Sequence, residues 1–275
     1  MTEAAIDRAF LRVPAGLIHY RSVTPPVGTG TIPLVMAHGG PGSSAGLAPL
    51  MTALGDDRVV VAPDMMGNGD SDPPPNPPTI AFYAECLVAV MDHLGLGRVD
   101  LYGHHTGAQV ACETAIAHPG RVRRLVLDGL GLFPPDLRSE FLTLYAPEIT
   151  PDPDGNHLLW VWDFIGQTTQ HFPHYLRDGA HRIAGGAAPP LDVWTTRAAE
   201  VLKVWPTYHL AYQAAFAHDL AARLALLPSS TVILAVSNDP LEPYAQVAAD
   251  IVAGARIEHT TRQQRADTLR AILAD

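Results

Sequence analysis

Short apolar runs rich in Val, Ile and Leu alternate along much of the chain with segments in which apolar residues recur every three or four positions. The apolar runs predict an opening hairpin and then five buried strands, at residues 10–20, 33–38, 58–62, 99–102, 122–127 and 231–236. Residues 80–94 and 105–117 have the spacing of helices. This alternation predicts a mostly parallel sheet covered by helices on both faces.

The alternation stops between residues 133 and 222, where no strand-like run occurs and aromatic residues are concentrated. We interpret residues 133–222 as an inserted helical cap, and residues 1–132 and 223–275 as the core domain around the sheet. The cap aromatics are expected first to form the core of the insertion. Some of them are expected to line an apolar pocket, and the tryptophan candidates are Trp160, Trp162 and Trp205.

Composition narrows the class of partner. The chain is 47% hydrophobic and 17% charged, with a net charge of -10 and no run of Lys or Arg. Nucleic acid and anionic membranes are therefore poor partners, and a small-molecule substrate is expected, with the protein a monomer or homodimer. Two cysteines inside apolar segments, Cys86 and Cys112, and a polar start without a leader pattern predict reduced buried thiols in a cytoplasmic protein.

The first motif that indicates chemistry is His38-Gly39-Gly40-Pro41-Gly42, directly after an apolar run. Consecutive glycines let backbone N–H groups turn toward a substrate oxygen with no side chain in the way, as an oxyanion hole requires. Gly39, Gly40 and His38 are therefore candidate oxyanion and substrate-binding residues. We expect His38 to support the loop through a hydrogen bond.

A second motif, Gly103-His104-His105-Thr106-Gly107, lies between a predicted strand and a predicted helix. This is the context of a G-x-S-x-G nucleophile elbow, except that histidine occupies the third position. Histidine tolerates positive φ better than most non-glycine residues, so the substitution need not break the turn.

Together with the turn-rich segment Asp64 to Ser71, these motifs resemble the α/β-hydrolase superfamily over the whole chain. The glycine loop is similar to that of proline iminopeptidase-like members, and the Gly-His start of the elbow to that of dehalogenase and epoxide hydrolase-like members. The resemblance implies an α/β-hydrolase fold, with a mostly parallel eight-stranded sheet flanked by helices and an inserted helical cap. The Ser or Asp nucleophile of those subgroups is replaced by His105.

The resemblance also implies roles for individual residues. The backbone amides of Gly40 and Thr106 fall at the oxyanion hole, and His105 falls at the tip of the elbow. Asp239 falls at the usual acid position and Asp128 at an alternative one used by some relatives. The family histidine corresponds best to His259, although the usual Gly-His loop before the last helix looks deleted.

A neutral imidazole at position 105 can accept a proton from water, an acidic carbon or a hydroxyl, which makes His105 a candidate general base. The leading hypothesis is non-covalent acid/base chemistry on a bulky apolar or aromatic molecule, such as carbon–carbon bond formation or cleavage, cyclisation or elimination, in specialised metabolism. One alternative is hydrolysis of an ester, lactone or epoxide by water that His105 activates. Another is a non-catalytic binding protein. No cofactor or metal is expected, because the other histidines lack ligand spacing.

Overall fold

The computed structural model describes residues 5–25, 30–75, 77–228 and 230–274. Its strands are, in chain order, β1 (Asp7–Val13), β2 (Gly16–Val23), β3 (Leu34–Ala37), β4 (Val60–Pro63), β5 (Val99–His104), β6 (Val122–Asp128), β7 (Thr231–Val236) and β8 (Arg256–Thr260). The opening hairpin and all five predicted buried strands are present, and their end points differ from the predicted ones by at most three residues. The apolar runs did not predict β8, which only the resemblance to an eight-stranded fold implied.

The helices of the described chain are α1 (Ala48–Leu54), α2 (Ile80–His93), α3 (Thr106–Ala117), α4 (Pro135–Leu144), α5 (Asn156–Thr168), α6 (Leu191–Lys203), α7 (Tyr208–Ala217), α8 (Leu220–Leu224), α9 (Tyr244–Ile251) and α10 (Arg265–Ala274). Helix α2 begins where Thr79 accepts a hydrogen bond from the Phe82 N–H, a side-chain N-cap. No helix in the described ranges is both long and apolar enough to span a bilayer.

The strands form one eight-stranded sheet in the order β1-β2-β4-β3-β5-β6-β7-β8. Strand β2 pairs antiparallel with β1 and with β4, and every other neighbouring pair is parallel. The predicted fold, a mostly parallel eight-stranded sheet flanked by helices, is confirmed. Parallel strands need crossover connections, and these place the helices against the two faces.

Successive side chains of each central strand point to opposite faces, which produces two apolar layers. On β3, Val35 packs into a layer with side chains of α2, α3 and α9, whereas Met36 packs into a layer with side chains of α1 and α10. Both strand residues are fully buried. Cys86 on α2 and Cys112 on α3 lie inside the first layer, buried and without a disulfide.

Between β6 and β7 the chain forms α4 to α8, and its aromatic residues build a third apolar cluster of their own. Phe141, Phe164 and Tyr208 are its largest fully buried members. The ring of Phe141 lies within about 5 Å of the rings of Phe133, Tyr145 and Phe216. Many of the aromatic residues concentrated in this part of the sequence therefore pack against one another in one cluster.

Candidate active site

The turn between β5 and α3 holds His105 in a backbone conformation that few residues adopt. The backbone φ of His105 is 50° and its ψ is -114°. His105 lies between His104, the last residue of β5, and Thr106, the first residue of α3. The His105 N–H donates to the Asp128 carbonyl at 2.8 Å, and its carbonyl accepts from the Ala108 N–H at 2.9 Å. The strand on one side and the helix on the other thus hold the strained turn in place.

Asp239 positions the imidazole of His105. The distance from His105 Nε2 to the two carboxylate oxygens of Asp239 is 3.2 and 3.1 Å. Asp239 lies in the loop after β7, and the Leu241 N–H donates to its Oδ1 at 2.9 Å. Since an ionised carboxylate only accepts, Nε2 carries the proton of this hydrogen bond, and Nδ1 of a neutral ring is then free to act as a base.

The two members of this pair differ in exposure. The side chain of Asp239 is 5% exposed and that of His105 is 26% exposed. Burial alone would raise the pKa of Asp239, but the charge of His105 and the hydrogen bonds from His105 and Leu241 outweigh it and lower the pKa below its usual range. Asp239 therefore remains an anion at neutral pH.

Two glycines lie in close contact with the side chains of His104 and His105, where a larger residue would not fit. Gly129 has a φ of +75°, and a Cβ there would lie 2.3 Å from Cδ2 of His105. A Cβ on Gly39 would lie 3.0 Å from Nδ1 of His104. The loop after β6 and the glycine loop after β3 therefore enclose the imidazoles, which fixes the direction of the His105 ring.

His104 stacks directly on His105. The ring centroids are 3.9 Å apart and the planes differ by 19°. Burial, then the charges of His105 and Arg265, lower the pKa of His104 well below its usual range. A neutral, half-buried His104 therefore forms one face of the slot for His105.

The glycine loop presents the donors expected of an oxyanion hole. His38 Nε2 accepts from the Met65 N–H at 2.9 Å, so its Nδ1 carries the proton and donates to the Gly39 carbonyl at 2.9 Å. Within the described chain, the Gly40 N–H donates to no protein group. The Thr106 N–H begins α3 and has no carbonyl one turn before it within the helix.

A cavity of about 600 Å³ opens over these groups between the sheet and the cap. Its wall includes both histidines of the elbow, the glycine loop and Asp239. The apolar part of the wall comes chiefly from Phe133, Tyr145, Phe172, Ile183, Tyr212 and Phe216. This volume suits a small organic molecule with a sizeable apolar body.

Asp128 has a different environment from Asp239. It is fully buried, accepts from the Tyr102 hydroxyl at 2.6 Å, and pairs with Arg265 Nε at 3.4 Å. It does not line the cavity. Of the two acids named from the sequence, Asp239 is the one whose carboxylate contacts His105, while Asp128 supports the turn through its backbone carbonyl and its buried pair.

Four other expected site residues lie outside the cavity wall. His259 is exposed on β8, the edge strand, where it pairs in register with Ala235, so it does not reach Asp239 as the resemblance implied. Trp160 stacks on Phe164 inside the cap core, and Trp162 stacks on Trp194 at the cap surface. Trp205 is 37% exposed. Aromatic content alone cannot distinguish a residue of the cap core or surface from one that faces the cavity.

Several residues of the wall were not singled out from the sequence. Tyr212 and Phe216 are spaced i, i+4 on α7, a signal that they share one face, and their rings stack at 5.8 Å. Arg197 and Glu200 come from α6, and Arg262 and Arg265 from the segment after β8. Ser43 also lines the cavity, and its hydroxyl donates to Glu200 at 2.7 Å. Ser44 is buried and bonds to Asp64.

His104, His105 and Asp239 have possible metal-ligand atoms within 4.8 Å of one another. Stacked imidazoles direct their in-plane lone pairs side by side rather than toward one point. The positive charges of Arg262 and Arg265 also act on His104. A second group, His19, Asp64 and Asp70, is held by internal hydrogen bonds to Asp64. Neither group has the arrangement of a metal centre.

Comparisons with known proteins agree with this architecture. A family model described as alpha/beta hydrolase fold matches residues 32–272. A putative carbamate hydrolase RutD of Caulobacter vibrioides is 30% identical over 234 residues, covering 82% of this chain and 79% of the relative. A 2-hydroxymuconate semialdehyde hydrolase of Pseudomonas sp. (strain CF600) is 42% identical over 101 residues, covering 35% of this chain and 36% of that protein.

Solved structures show the same fold at low sequence identity. The enol-lactonase from Burkholderia xenovorans has a TM-score of 0.73 at 16% identity, covering 97% of this chain and 100% of that chain. The epoxide hydrolase CorEH has a TM-score of 0.71 at 18% identity, covering 98% and 99%. With a family model that matches most of its length and a sheet that carries the elbow at the end of β5, this chain belongs to the alpha/beta hydrolase fold family.

Proposed function

We propose that the protein hydrolyses an ester or lactone of a bulky apolar acid, with His105 as a general base on water and no covalent intermediate. The observation that carries this proposal is the hydrogen bond between His105 Nε2 and Asp239, at 3.1 Å, in the wall of the cavity. With Nε2 bonded to Asp239, His105 Nδ1 has no hydrogen-bond partner in the described chain. Nδ1 is also not one of the buried polar atoms that lack a partner, so it is accessible from the cavity.

The reaction follows from these positions. His105 Nδ1 takes a proton from water as the water oxygen bonds to the substrate carbonyl carbon. The N–H groups of Gly40 and Thr106 stabilise the oxygen that becomes negative. Collapse breaks the bond to the leaving oxygen, which receives the proton from His105. Asp239 stays ionised throughout and stabilises the transient imidazolium, so it keeps the ring oriented as well.

His105 thereby occupies the position that a nucleophile holds in the family pattern, while its partner acid is the usual one. Asp239 binds Nε2 rather than Nδ1, because the imidazole projects from the elbow itself. His105, Gly40 and Thr106 line the same cavity, and the elbow carries no serine. This arrangement supports direct attack by water on the substrate carbonyl, without an acyl-enzyme intermediate.

The similar proteins are named as hydrolases, which favours hydrolysis over the carbon–carbon and elimination chemistry that the missing nucleophile first suggested. The same base beside the same donors would also serve that chemistry, since an oxyanion hole stabilises an enolate as well. Hydrolysis of an ester or lactone places a water oxygen in the acid product, whereas carbon–carbon bond formation, cyclisation and elimination do not.

The test is turnover of a panel that contains 4-nitrophenyl esters, aryl lactones and styrene oxide, with wild-type protein and the Asp239→Asn variant. We expect hydrolysis of an ester or lactone by the wild type, and a loss of about 10²-fold or more in kcat for the variant, because the amide neither fixes the tautomer nor stabilises the imidazolium. Asp178→Asn is the matched control, since Asp178 also bonds a histidine, His181, at 2.8 Å, but on the cap surface.

Two outcomes would overturn hydrolysis. Exchange of a substrate C–H with deuterium from D2O, without hydrolysis, would show that the base removes a proton from carbon rather than from water. Tight binding of panel compounds with no product from any of them, unchanged by Asp239→Asn, would identify a binding protein.

A further inference from the structure

The cavity wall contains charged side chains in addition to the catalytic pair. These are Glu200 and three arginines, Arg197, Arg262 and Arg265. Glu200 accepts from Ser43, and Arg265 pairs with Asp128. In the described part of the chain, neither Arg197 nor Arg262 has a carboxylate within 4.0 Å or a hydrogen bond from its guanidinium.

Arg197 is the half-buried member of this pair, and Arg262 is exposed. The chain has 17 arginines, and in its described part nine of them lie within 4.0 Å of a carboxylate. Arg123 and Arg223, for example, each form two hydrogen bonds of 2.8 Å with one carboxylate. A guanidinium offers five donors in a planar fork, and leaving it unpaired beside apolar walls is unfavourable. An anion in the cavity would satisfy it.

Arg197 lines the same cavity as His105 and the glycine loop. It projects from the cap helix α6 and is half-buried, and its positive charge acts on Tyr212. The ring of Tyr212 in turn lies 3.5 Å from the position of a Cβ built on Gly40, in the oxyanion loop. Arg262 is exposed in the loop between β8 and α10, and its charge acts on His104. One cation therefore comes from the cap and one from the core.

We propose that the substrate carries a carboxylate in addition to the group that is hydrolysed, and that Arg197 binds this carboxylate while Arg262 attracts it at the cavity mouth. The inference rests on the proposed function for the identity of the reacting group. A planar carboxylate matches the guanidinium fork in two parallel hydrogen bonds. The aromatic wall of Phe133, Phe172 and Phe216 then takes the apolar body of the molecule.

Binding of matched anionic and neutral probes tests this without any turnover. The probes are phenylacetate, 4-phenylbutyrate and 2-naphthoate, each paired with its primary amide, which has nearly the same shape and no charge. Titration calorimetry with wild-type protein is expected to show at least one acid bound about tenfold or more tightly than its amide, because a charged hydrogen-bonded pair contributes at least that much. Arg197→Gln is expected to remove this preference and Arg197→Lys to keep part of it.

Arg177→Gln is the matched control, because it removes the same charge from the cap surface, where Arg177 pairs with Asp163. We expect it to retain the preference. A preference for the acid that persists in Arg197→Gln, or no preference in any pair because both members bind equally or neither binds, would overturn the proposal. The same titrations with His105→Ala separate carboxylate binding from the proposed hydrolysis. The variant should still bind the acid more tightly than the amide, although it lacks the proposed base.

Discussion

Replacing His105 by alanine is expected to lower kcat/KM for the best ester of the panel by about 10²- to 10⁴-fold, the usual contribution of a positioned general base. The residual rate would come from the oxyanion donors and the cavity, which the substitution leaves in place. Initial rates with the aryl ester at pH 7 to 8 measure the effect. His105→Gln serves as a second variant, because it retains a polar side chain at the elbow without a basic nitrogen.

His118→Ala is the matched control for this loss. His118 caps the opposite end of the same helix, α3, and its side chain pairs with Glu85 at the surface. We expect its rate to match that of the wild type. Circular dichroism melting curves for each variant separate a catalytic effect from unfolding. A rate within threefold of wild type for a folded His105→Ala would mean that another group is the base.

Replacing Arg265 by methionine is expected to lower the free energy of unfolding by about 3 kcal/mol, at the lower end of the cost of breaking a buried ion pair. Asp128 is fully buried, and the Arg265 side chain is only 14% exposed. Removing the guanidinium leaves the carboxylate with the Tyr102 hydroxyl as its hydrogen-bond partner. Urea unfolding monitored by tryptophan fluorescence measures the change. Arg270→Met, an exposed position on α10, is expected to change stability by at most about 0.5 kcal/mol.

The loss of unfolding free energy caused by Arg265→Met should also depend on pH. Burial, partly offset by Arg265 and Tyr102, raises the pKa of Asp128 above its ordinary value. An acid whose pKa is raised on folding loses stability as pH increases through the interval between its unfolded and folded pKa values. Without Arg265 that pKa rises further, so the deficit of Arg265→Met should be larger at pH 8 than at pH 5. An equal deficit at both pH values would show that the loss of Arg265 does not change the ionisation of Asp128 between pH 5 and pH 8, which contradicts this prediction.

Much of the fold could be predicted from the sequence, because the sheet and its helices depend on local periodicity. The short runs before His38 and before Gly103 are typical of buried parallel strands. Motifs at the carboxyl ends of such strands meet at one edge, so the glycine loop and the elbow were expected to lie together.

The partners of the elbow histidine were harder to predict, since they depend on side-chain direction in loops far apart along the chain. The family resemblance implied Asp239 as the acid, and its carboxylate contacts His105. His259 has the right order in the chain but lies on an edge strand that exposes it. Arg197 lies in the cap, where helical spacing gives no signal about which residues face the sheet.

The most direct test of the central claim, that His105 is a base and not a nucleophile, is intact-protein mass spectrometry of a rapidly quenched single turnover with the best aryl ester. We expect the unmodified protein mass at every time point while acid product accumulates. An acyl adduct that forms and decays at the rate of turnover, on His105 or on any other side chain such as Ser43, would contradict it.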